Sequence, residues 1–488
     1  MGPETAVAGT VSSTRNVDLA YLGGTEALVA FAAGALSPVD LLEALIERAA
    51  LVEPDVNAFA ETMFDEARVE ARESERRWAA GMARPLEGLP VAAKEAQALA
   101  GRVVTDGLVE PLDPEPATET AWALERLRAA GAIVHARTTT SELCCMPVSH
   151  ASRWGTTRNP WDLTKGVGGS SGGSAAALAA GTATLATGTD IGGSIRAPAA
   201  LAGVVGYKPP HGRVPLEPPA NGETWLHAGA LARSVADAAL IANAMAGPHP
   251  GDRCSLPVAP PLPSAFEPAP GMRVAFCARP GDLPVEAAVA ANAERVAAAL
   301  AAAGVEVREV ELDWRLEEIN EAMWGHGDVT RAEAALEREA ERPGTLSPYA
   351  VGCFERSTAA AASIPIERRV AIENRLRNGV FALFDTCDAV LVPTMGVAAM
   401  DAGEDYAARP LRVDGAPLDH FCDAALTPIF NVASSCPVLT VPSGLAPSGT
   451  PTGVQVAGPP SDDLTAFRLA AEIECVAPWN YDLPGGSN

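Results

Sequence analysis

Residues 166–209 read GVGGSSGGSAAALAAGTATLATGTDIGGSIRAPAALAGVVGYKP, and the interpretation of the whole chain depends on this stretch. Its Gly-Gly-Ser tripeptides fall into two separate elements, GGSSGGS at 168–174, which contains Ser170, and GGS at 192–194, which ends at Ser194. Glycines give the backbone conformations that other residues avoid and leave N–H groups uncovered, as an anion or oxyanion site requires. Three interpretations therefore compete: a flexible linker, a loop that cradles phosphate, or a serine nucleophile beside an oxyanion hole.

Two of these interpretations fit the sequence poorly. Between the two elements, SAAALAAG predicts a helix and TATLATGTD predicts a strand, whereas linkers do not alternate in this way. Neither G-x-x-x-x-G-K-[ST] nor G-x-G-x-x-G occurs here after a strand, so a phosphate loop is not indicated. A nucleophilic serine is the favoured chemistry.

A second candidate nucleophile comes from residues 169–173, which match the G-x-S-x-G pattern of α/β-hydrolases. In that alternative, Ser171 attacks as the nucleophile of an esterase and a downstream histidine is its base. Five histidines follow Ser171 in the chain, none with a distinguishing context: His211, His227, His249, His326 and His420.

Outward from this stretch, the chain alternates strands and helices. LEGLPVAAKEAQA (86–98) predicts an apolar strand that leads into Lys94. AWALERLRAAGAIVHARTTT (121–140) predicts a helix, a glycine stop and a buried strand, and residues 272–312 repeat the alternation. Residues 313–420 read as helical and charged. The alternation predicts the α/β class, with a layered sheet between helices.

Charge and composition narrow the possible partners and compartments. The formal net charge of −25 repels phosphate backbones and no basic stripe is present, so nucleic acid is not expected and neutral substrates are favoured. No apolar run approaches the roughly 18 residues of a membrane span, and the N-terminus lacks a secretory signal. Nine cysteines form no CxxC pair and no zinc spacing with histidine. We expect a cytoplasmic protein without membrane, disulfide framework, metal or cofactor.

Lysine is rare in this chain, since the only lysines are Lys94, Lys165 and Lys208. Arginine cannot be deprotonated in a protein, whereas a buried lysine can lose its proton and act as a base. Each lysine is therefore a candidate for a functional role, although drift in composition explains Lys165 and Lys208 equally well.

Residues 168–209 resemble the defining block of the amidase signature family almost residue for residue. Three further stretches of the chain resemble the segments that flank this block in the family: ARTTTSE (136–142), WGTTRNPWD (154–162) and GALARSVADAALIANAMAG (229–247). The resemblance implies an α/β fold in which a large, mixed, twisted β-sheet is sandwiched between α-helices.

The resemblance also implies how the chain is organised within one structural domain. Residues 1–85 form an N-terminal helical segment packed on the core, and residues 86–247 form the catalytic core. Residues 248–488 complete the sheet and include a variable region, about 313–430, that shapes the substrate pocket. The proline-rich passage 248–270 reads as a spacer between the two lobes.

In this family a serine attacks the substrate and a lysine is the base. By resemblance, Ser194 is the nucleophile, Lys94 is the base, and Ser170, which follows a cis peptide bond in the family, relays the proton. The oxyanion hole is expected from four backbone N–H groups, those of Ile191, Gly192, Gly193 and Ser194. Three residues are expected to support the site: Asp190 by holding the turn, Ser171 by buttressing the triad, and Arg196 in a structural role.

The resemblance implies an amidohydrolase that cleaves the C–N bond of a neutral amide, or a related carbamate or ester, through a seryl acyl-enzyme. One alternative keeps the fold but makes the chain the glutaminase subunit of a tRNA-dependent amidotransferase, in which Ile191 is usually threonine. Another is a binding module without activity. The family usually has aspartate after the lysine, where this chain has Glu95, so the role of that acid is open.

The substrate pocket is expected to be apolar and partly aromatic. By resemblance it is formed by the segment 144–147 and by the variable region. The candidate pocket residues are Cys144, Cys145, Trp324, His326, Phe421, Ile429 and Phe430. The expected partner is a small amide or carbamate, bound by a monomer or homodimer.

Overall fold

The computed structural model describes residues 19–326, 329–406 and 408–481. Its largest element is an 11-stranded sheet. We number the strands of this sheet in chain order: β1 Phe59–Thr62, β2 Pro90–Lys94, β3 Ile133–Thr138, β4 Leu185–Asp190, β5 Val205–Lys208, β6 His227–Ala232, β7 Arg273–Phe276, β8 Glu306–Glu309, β9 Ala389–Pro393, β10 Val438–Leu445 and β11 Pro451–Ala457.

The order of strands across the sheet is β1-β3-β2-β4-β6-β5-β10-β11-β9-β7-β8. Strands β3, β2 and β4 are mutually parallel, as are β9, β7 and β8, and the remaining neighbours pair antiparallel. The sheet is therefore mixed, as expected. Because β10 pairs with β5, strands from 86–247 and from 248–488 belong to one continuous sheet.

Helices cover both faces of this sheet. They are α1 Gly24–Ala32, α2 Pro38–Val56, α3 Phe64–Ala79, α4 Trp122–Ala129, α5 Gly172–Ala179, α6 Arg196–Ala202, α7 Val235–Met245, α8 Ala287–Ala302, α9 Leu316–His326, α10 Val329–Glu341, α11 Pro348–Ser363, α12 Ile366–Leu383, α13 Ile429–Val432 and α14 Asp463–Val476. None of those in the described part of the chain is long and apolar enough to cross a membrane.

Alternation along β2 shows the two covered faces. Val91 and Ala93 point into one hydrophobic cluster, which includes residues of α4, α7, α8 and α14. Ala92 points into another cluster, which includes α5 and α6. Successive side chains of a strand face opposite sides, so the sheet is buried between two helical layers.

Two strands depart from the expectations drawn from the sequence. β1 lies within the segment 1–85, which was expected to be helical, and pairs antiparallel with β3 at the edge of the sheet. β9 lies within 313–420, which was also expected to be helical, yet all five of its residues are buried. A short apolar run buried on both faces has no period that separates it from a helix, which explains the second error.

Smaller elements lie outside the main sheet. Between α7 and β7, the proline-rich residues 246–272 form neither helix nor strand in the described chain. Short strands occur at His150–Ala151, Gly155–Thr156, Arg158–Asn159, Asp162–Gly166, Met400–Asp401, Arg412–Val413 and Ala416–Pro417.

Candidate active site

Lys94 stands at the end of β2, whose five residues are all buried. The neighbouring parallel strand β4 ends at Asp190, so the carboxyl ends of both strands lie on the same side of the sheet. Ligands of open α/β sheets bind at the carboxyl ends of the strands. There the Nζ atom of Lys94 donates to Ser170 Oγ at 2.7 Å and to Thr189 Oγ1 at 2.8 Å. Two of the three predicted catalytic residues, Lys94 and Ser170, are therefore in direct contact.

Ser170 and Ser171 form the turn before α5, and the peptide bond Gly169–Ser170 is cis. The Ser171 N–H donates to the carbonyl oxygen of Ser194 at 3.0 Å, which joins this turn to the turn after β4. The Ser171 hydroxyl donates to the carbonyl oxygen of Thr189 at 3.3 Å. The structure thus brings both Gly-Gly-Ser elements together beside Lys94.

Asp190 shapes the turn that contains Ser194. Its carboxylate accepts the N–H of Gly193 at 2.8 Å and that of Ile195 at 3.2 Å. Among the described residues, the N–H groups of Ile191, Gly192 and Ser194 have no hydrogen-bond acceptor. The expectation for Gly193 is therefore corrected, because the Asp190 carboxylate already occupies its N–H group.

Arg196 lies behind the turn and is fully buried. Its guanidinium donates to both carboxylate oxygens of Asp190, at 2.9 and 3.0 Å. It also donates to the carbonyl oxygen of Thr427 at 2.9 Å and to Asn431 Oδ1 at 2.6 Å. Burial alone would raise the pKa of Asp190, but the Arg196 charge holds that pKa below its usual value. Arg196 thus links the turn to the segment that contains Thr427 and Asn431.

Comparison with known proteins identifies the family of this chain. The profile of the family described as Amidase matches residues 40–466. The chain belongs to the amidase signature family. The acylamidase of Rhodococcus erythropolis is 31% identical over 477 residues, which cover 96% of this chain and 98% of the relative. The 6-aminohexanoate-cyclic-dimer hydrolase of Paenarthrobacter ureafaciens is 30% identical over 473 residues, covering 91% and 93%.

A solved structure extends the comparison to three dimensions. The crystal structure of a bacterial aryl acylamidase of the amidase signature family superposes with a TM-score of 0.88 at 26% identity, covering 96% of this chain and 99% of the other. The protein is an amidase with the amidase signature fold, which confirms the predicted family and fold class. The alternative of an α/β-hydrolase esterase is wrong, since this amidase has a different fold.

Glu95, the departure from the family pattern, is buried and follows Lys94 directly in the chain. Its carboxylate accepts the N–H of Thr105 at 2.6 Å and that of Asp106 at 3.0 Å, and it lies 3.3 Å from the Arg137 guanidinium. Burial raises the pKa of Glu95 although Arg137 opposes the shift. The acid thus ties the loop after β2 to β3.

The amidase uses its other two lysines differently. Lys165 forms an ion pair with Asp401 at 2.7 Å, and both side chains remain partly exposed. Lys208 is fully buried, and burial together with the Arg196 charge lowers its pKa to about 7.

Cys144 and Cys145, two of the candidate pocket residues, are partly buried in the bend after β3. Leu143 and Cys144 there have φ values of 50° and 57°, which are unusual for residues other than glycine. Trp324 and Phe421 are buried in a hydrophobic cluster with Met146 of the same bend. These placements connect the bend with the variable region of the amidase.

Ile429 and Phe430 do not fit their expected place in the pocket. Both are fully buried in the main core of the amidase, where Phe430 packs edge-on against Trp314 at a centroid distance of 5.8 Å. An apolar side chain suits a core and a pocket equally well, so the sequence could not separate the two. The Nε2 atom of His326 lies 2.5 Å from Glu223 Oε1, and its ring stacks on Trp225.

Sequence reasoning missed three polar residues of the amidase site. Thr189 contacts Lys94, and its place on the strand that ends at Asp190 is a local signal that could have found it. Thr427 donates to the carbonyl oxygen of Gly192 at 2.6 Å, and Asn431 donates to Asp190 Oδ1 at 2.9 Å. Thr427 and Asn431 lie far along the chain from this turn, and nothing in the residues around them predicts the contact.

Proposed function

We propose that Ser194 attacks the carbonyl carbon of a neutral amide and forms an acyl-enzyme. The observation that carries this proposal is the 2.7 Å contact between Lys94 Nζ and Ser170 Oγ, beside the turn that holds Ser194. Ser194 keeps 9% of its surface exposed, whereas Lys94 and Ser170 are fully buried. A substrate can therefore reach the nucleophile while the base stays shielded from water.

The proton follows a relay in both halves of the reaction. As Ser194 Oγ bonds to the carbonyl carbon, its proton passes to Ser170 Oγ, whose own proton passes to the lone pair of Lys94 Nζ, so the relay requires Lys94 to begin as an uncharged amine. When the C–N bond breaks, the same relay returns a proton to the leaving nitrogen. Water then attacks the acyl ester, gives its proton to the relay, and releases the acid as Ser194 recovers its proton.

The developing oxyanion is stabilised by the unoccupied N–H groups of Ile191, Gly192 and Ser194. A methyl group added at Gly192 would meet no atom within 4 Å, so the space next to these donors is open to a substrate. Gly193 instead shapes the turn through its bond to Asp190. Each donor aimed at an oxyanion is typically worth about 2.7–4 kcal/mol in the transition state.

The substrate class follows from the surroundings of the site and from the relatives. The bend with Cys144 and Cys145 adjoins an apolar cluster that includes Met146, Trp324 and Phe421. An acylamidase and an aryl acylamidase are among the similar proteins. We infer an apolar or aromatic amide as substrate, with aryl carbamates and esters as related substrates.

The test compares single variants at the relay with a matched lysine control. Ser194→Ala and Lys94→Met should abolish turnover of anilides, aliphatic amides and aryl carbamates, whereas Lys165→Met should retain it. A fluorophosphonate should label Ser194 in the wild type, and EDTA should leave turnover intact. Turnover that survives Ser194→Ala would overturn the proposal. Preference for free glutamine, with partner subunits that co-purify, would instead indicate the glutaminase of an amidotransferase.

A further inference from the structure

Two buried basic side chains lie behind the oxyanion turn and have no part in the proton relay. Lys208 is the last residue of β5, and His227 is the first residue of β6. Lys208 is fully buried and His227 is 2% exposed. In the pairing of β6 with β4, His227 stands directly opposite Asp190, the residue before the turn.

The hydrogen bonds of His227 determine which ring nitrogen carries its proton. Nδ1 lies 3.1 Å from the carbonyl oxygen of Asp190, whereas Nε2 lies 3.3 Å from the Lys208 amine and 3.2 Å from the carbonyl oxygen of Ser434. A proton on Nδ1 makes hydrogen bonds of two of these contacts, those with Asp190 and Lys208, whereas a proton on Nε2 satisfies only the Ser434 carbonyl. The tautomer with the proton on Nδ1 is therefore favoured. Burial and the charge of Lys208 hold the pKa of His227 well below its ordinary value. The ring is therefore neutral, and its Nε2 lone pair can accept a hydrogen bond from Lys208 Nζ at 3.3 Å.

The Lys208 side chain is held by three acceptors. Besides His227 Nε2, its Nζ atom donates to the carbonyl oxygen of Cys436 at 2.9 Å and to that of Pro209 at 3.2 Å. An ammonium has three protons, so each has an acceptor. Below the pKa of Lys208, an ordered positive charge thus stands behind His227.

We propose that His227, backed by Lys208, is a positioning residue that strengthens the Ile191 N–H as a donor to the oxyanion. The hydrogen bond from His227 acts on the carbonyl oxygen of Asp190, and this carbonyl shares its peptide group with the Ile191 N–H. Peptide resonance shifts electron density toward a carbonyl that accepts a hydrogen bond, which makes the N–H more positive. The inference rests on the proposed function, in which Ile191 contributes to the oxyanion hole.

The charges around the turn agree with this role. The Asp190 carboxylate would oppose an oxyanion, but the Arg196 guanidinium pairs with it at 2.9 Å and offsets its charge. No carboxylate forms a salt bridge with Lys208 among the residues that the structure describes. The positive charge of Lys208 is therefore left to act, through His227, on the peptide group at the start of the turn.

The experiment separates the donor at Nδ1 from the contact at Nε2. His227→Leu removes both, whereas His227→Asn keeps an amide N–H near the position of Nδ1 and loses the contact with Lys208. Lys208→Met removes the charge at nearly constant volume. His135→Leu is the matched control, because His135 is also fully buried and lies 3.1 and 2.9 Å from two carbonyl oxygens, on β3 rather than behind the turn.

Two probes report on the oxyanion hole without knowledge of the natural substrate. Trifluoroacetophenone adds to Ser194 as a tetrahedral alkoxide, and a fluorophosphonate develops negative charge on its phosphoryl oxygen as it labels the same atom. Measured below the pKa of Lys208, His227→Leu should weaken ketone binding and slow labelling by about tenfold, part of the roughly 10²–10³-fold loss expected for a whole donor. His227→Asn should have nearly the ketone affinity and labelling rate of the wild type. The values for Lys208→Met should lie between those of His227→Leu and His227→Asn.

Two further measurements distinguish this role of His227 from a merely structural one: the His135→Leu control, and the separate effects of His227→Leu on kcat and KM. His135→Leu should lower the melting temperature with no change in ketone affinity, and His227→Leu should lower kcat for para-nitroacetanilide with little change in KM. Wild-type labelling rates and ketone affinity in folded His227→Leu or Lys208→Met would overturn the inference. Failure of Ser194 itself to react in the wild type would overturn the proposed function first, so the two failures are distinguishable.

Discussion

The hydroxyl of Thr427 donates a hydrogen bond to the carbonyl oxygen of Gly192 at 2.6 Å. This bond crosses from the segment before α13 to the oxyanion turn and is made by a residue that is fully buried. It fixes the orientation of the Gly192 peptide group, whose neighbours supply the proposed oxyanion donors.

Replacement of Thr427 should therefore affect catalysis more than its position in the core suggests. Thr427→Val keeps the shape of the side chain but leaves the Gly192 carbonyl without its partner, which should cost about 1–3 kcal/mol of unfolding free energy. We expect kcat to fall while KM changes little, and Thr427→Ser to restore most of kcat. Steady-state kinetics measures kcat and KM, and urea unfolding measures the loss of unfolding free energy. Equal activity of the valine and serine variants would contradict the role of the hydroxyl.

The two glycines of the turn should respond in opposite ways to alanine. At Gly193, φ is +122° and an added methyl group would lie 1.9 Å from Thr427 Oγ1, so Gly193→Ala should distort the turn and destabilise the protein. At Gly192, the added methyl group meets open space. Gly192→Ala should fold normally and lose activity, because its methyl group stands where the substrate carbonyl binds.

Thermal unfolding and turnover of these variants separate fold from function. A normal melting temperature with low activity is expected for Gly192→Ala, and a lowered melting temperature is expected for Gly193→Ala. If Gly192→Ala kept full activity, the open space beside the turn would not be the binding site.

The local part of the site was predictable from the sequence, because one stretch of residues contains most of it. Ser170, Ser194 and Asp190 lie in a single helix–strand alternation, and Lys94 ends a recognisable apolar strand. The α/β class followed from the same alternation.

Contacts between distant segments were not predictable in this way. Thr427 and Asn431 reach the turn because β10 pairs with β5 and carries the preceding segment across the sheet. Nothing in the residues around them distinguishes a polar side chain that holds the turn from one that packs elsewhere. The same limitation placed Phe430 in a pocket, although an aromatic side chain in an apolar segment is equally suited to the core where it lies.

The ion pair between Asp190 and Arg196 should matter far more than a surface pair. Asp190→Asn leaves the fully buried Arg196 without a counter-charge and weakens the acceptor of the Gly193 N–H, so we expect a loss of about 3–5 kcal/mol. Asp401→Asn removes the partner of Lys165 in a partly exposed pair and should cost about 1 kcal/mol or less. Urea unfolding of both variants tests the contrast, and similar losses would contradict it.

His326 should make the stability of this amidase depend on pH in the alkaline range. Its Nε2 lies 2.5 Å from Glu223 Oε1 and its Nδ1 lies 3.5 Å from Glu373 Oε1. Burial alone would lower the pKa of His326, but the two carboxylates raise it to about 9, above the ordinary value of 6.5. Because the folded state holds this proton more tightly, the stabilisation is complete below pH 6.5 and is lost as the pH rises through about 9.

The measurement is the free energy of unfolding in urea between pH 6.5 and about pH 9, for the wild type and for His326→Gln. Glutamine is uncharged at every pH, so the variant should lack the component of the wild-type pH dependence that spans up to about 3 kcal/mol. The wild-type advantage should be largest at the acidic end of the range and should shrink steadily towards the alkaline end. Parallel curves for the two proteins would show that His326 is not protonated between Glu223 and Glu373 in the folded state.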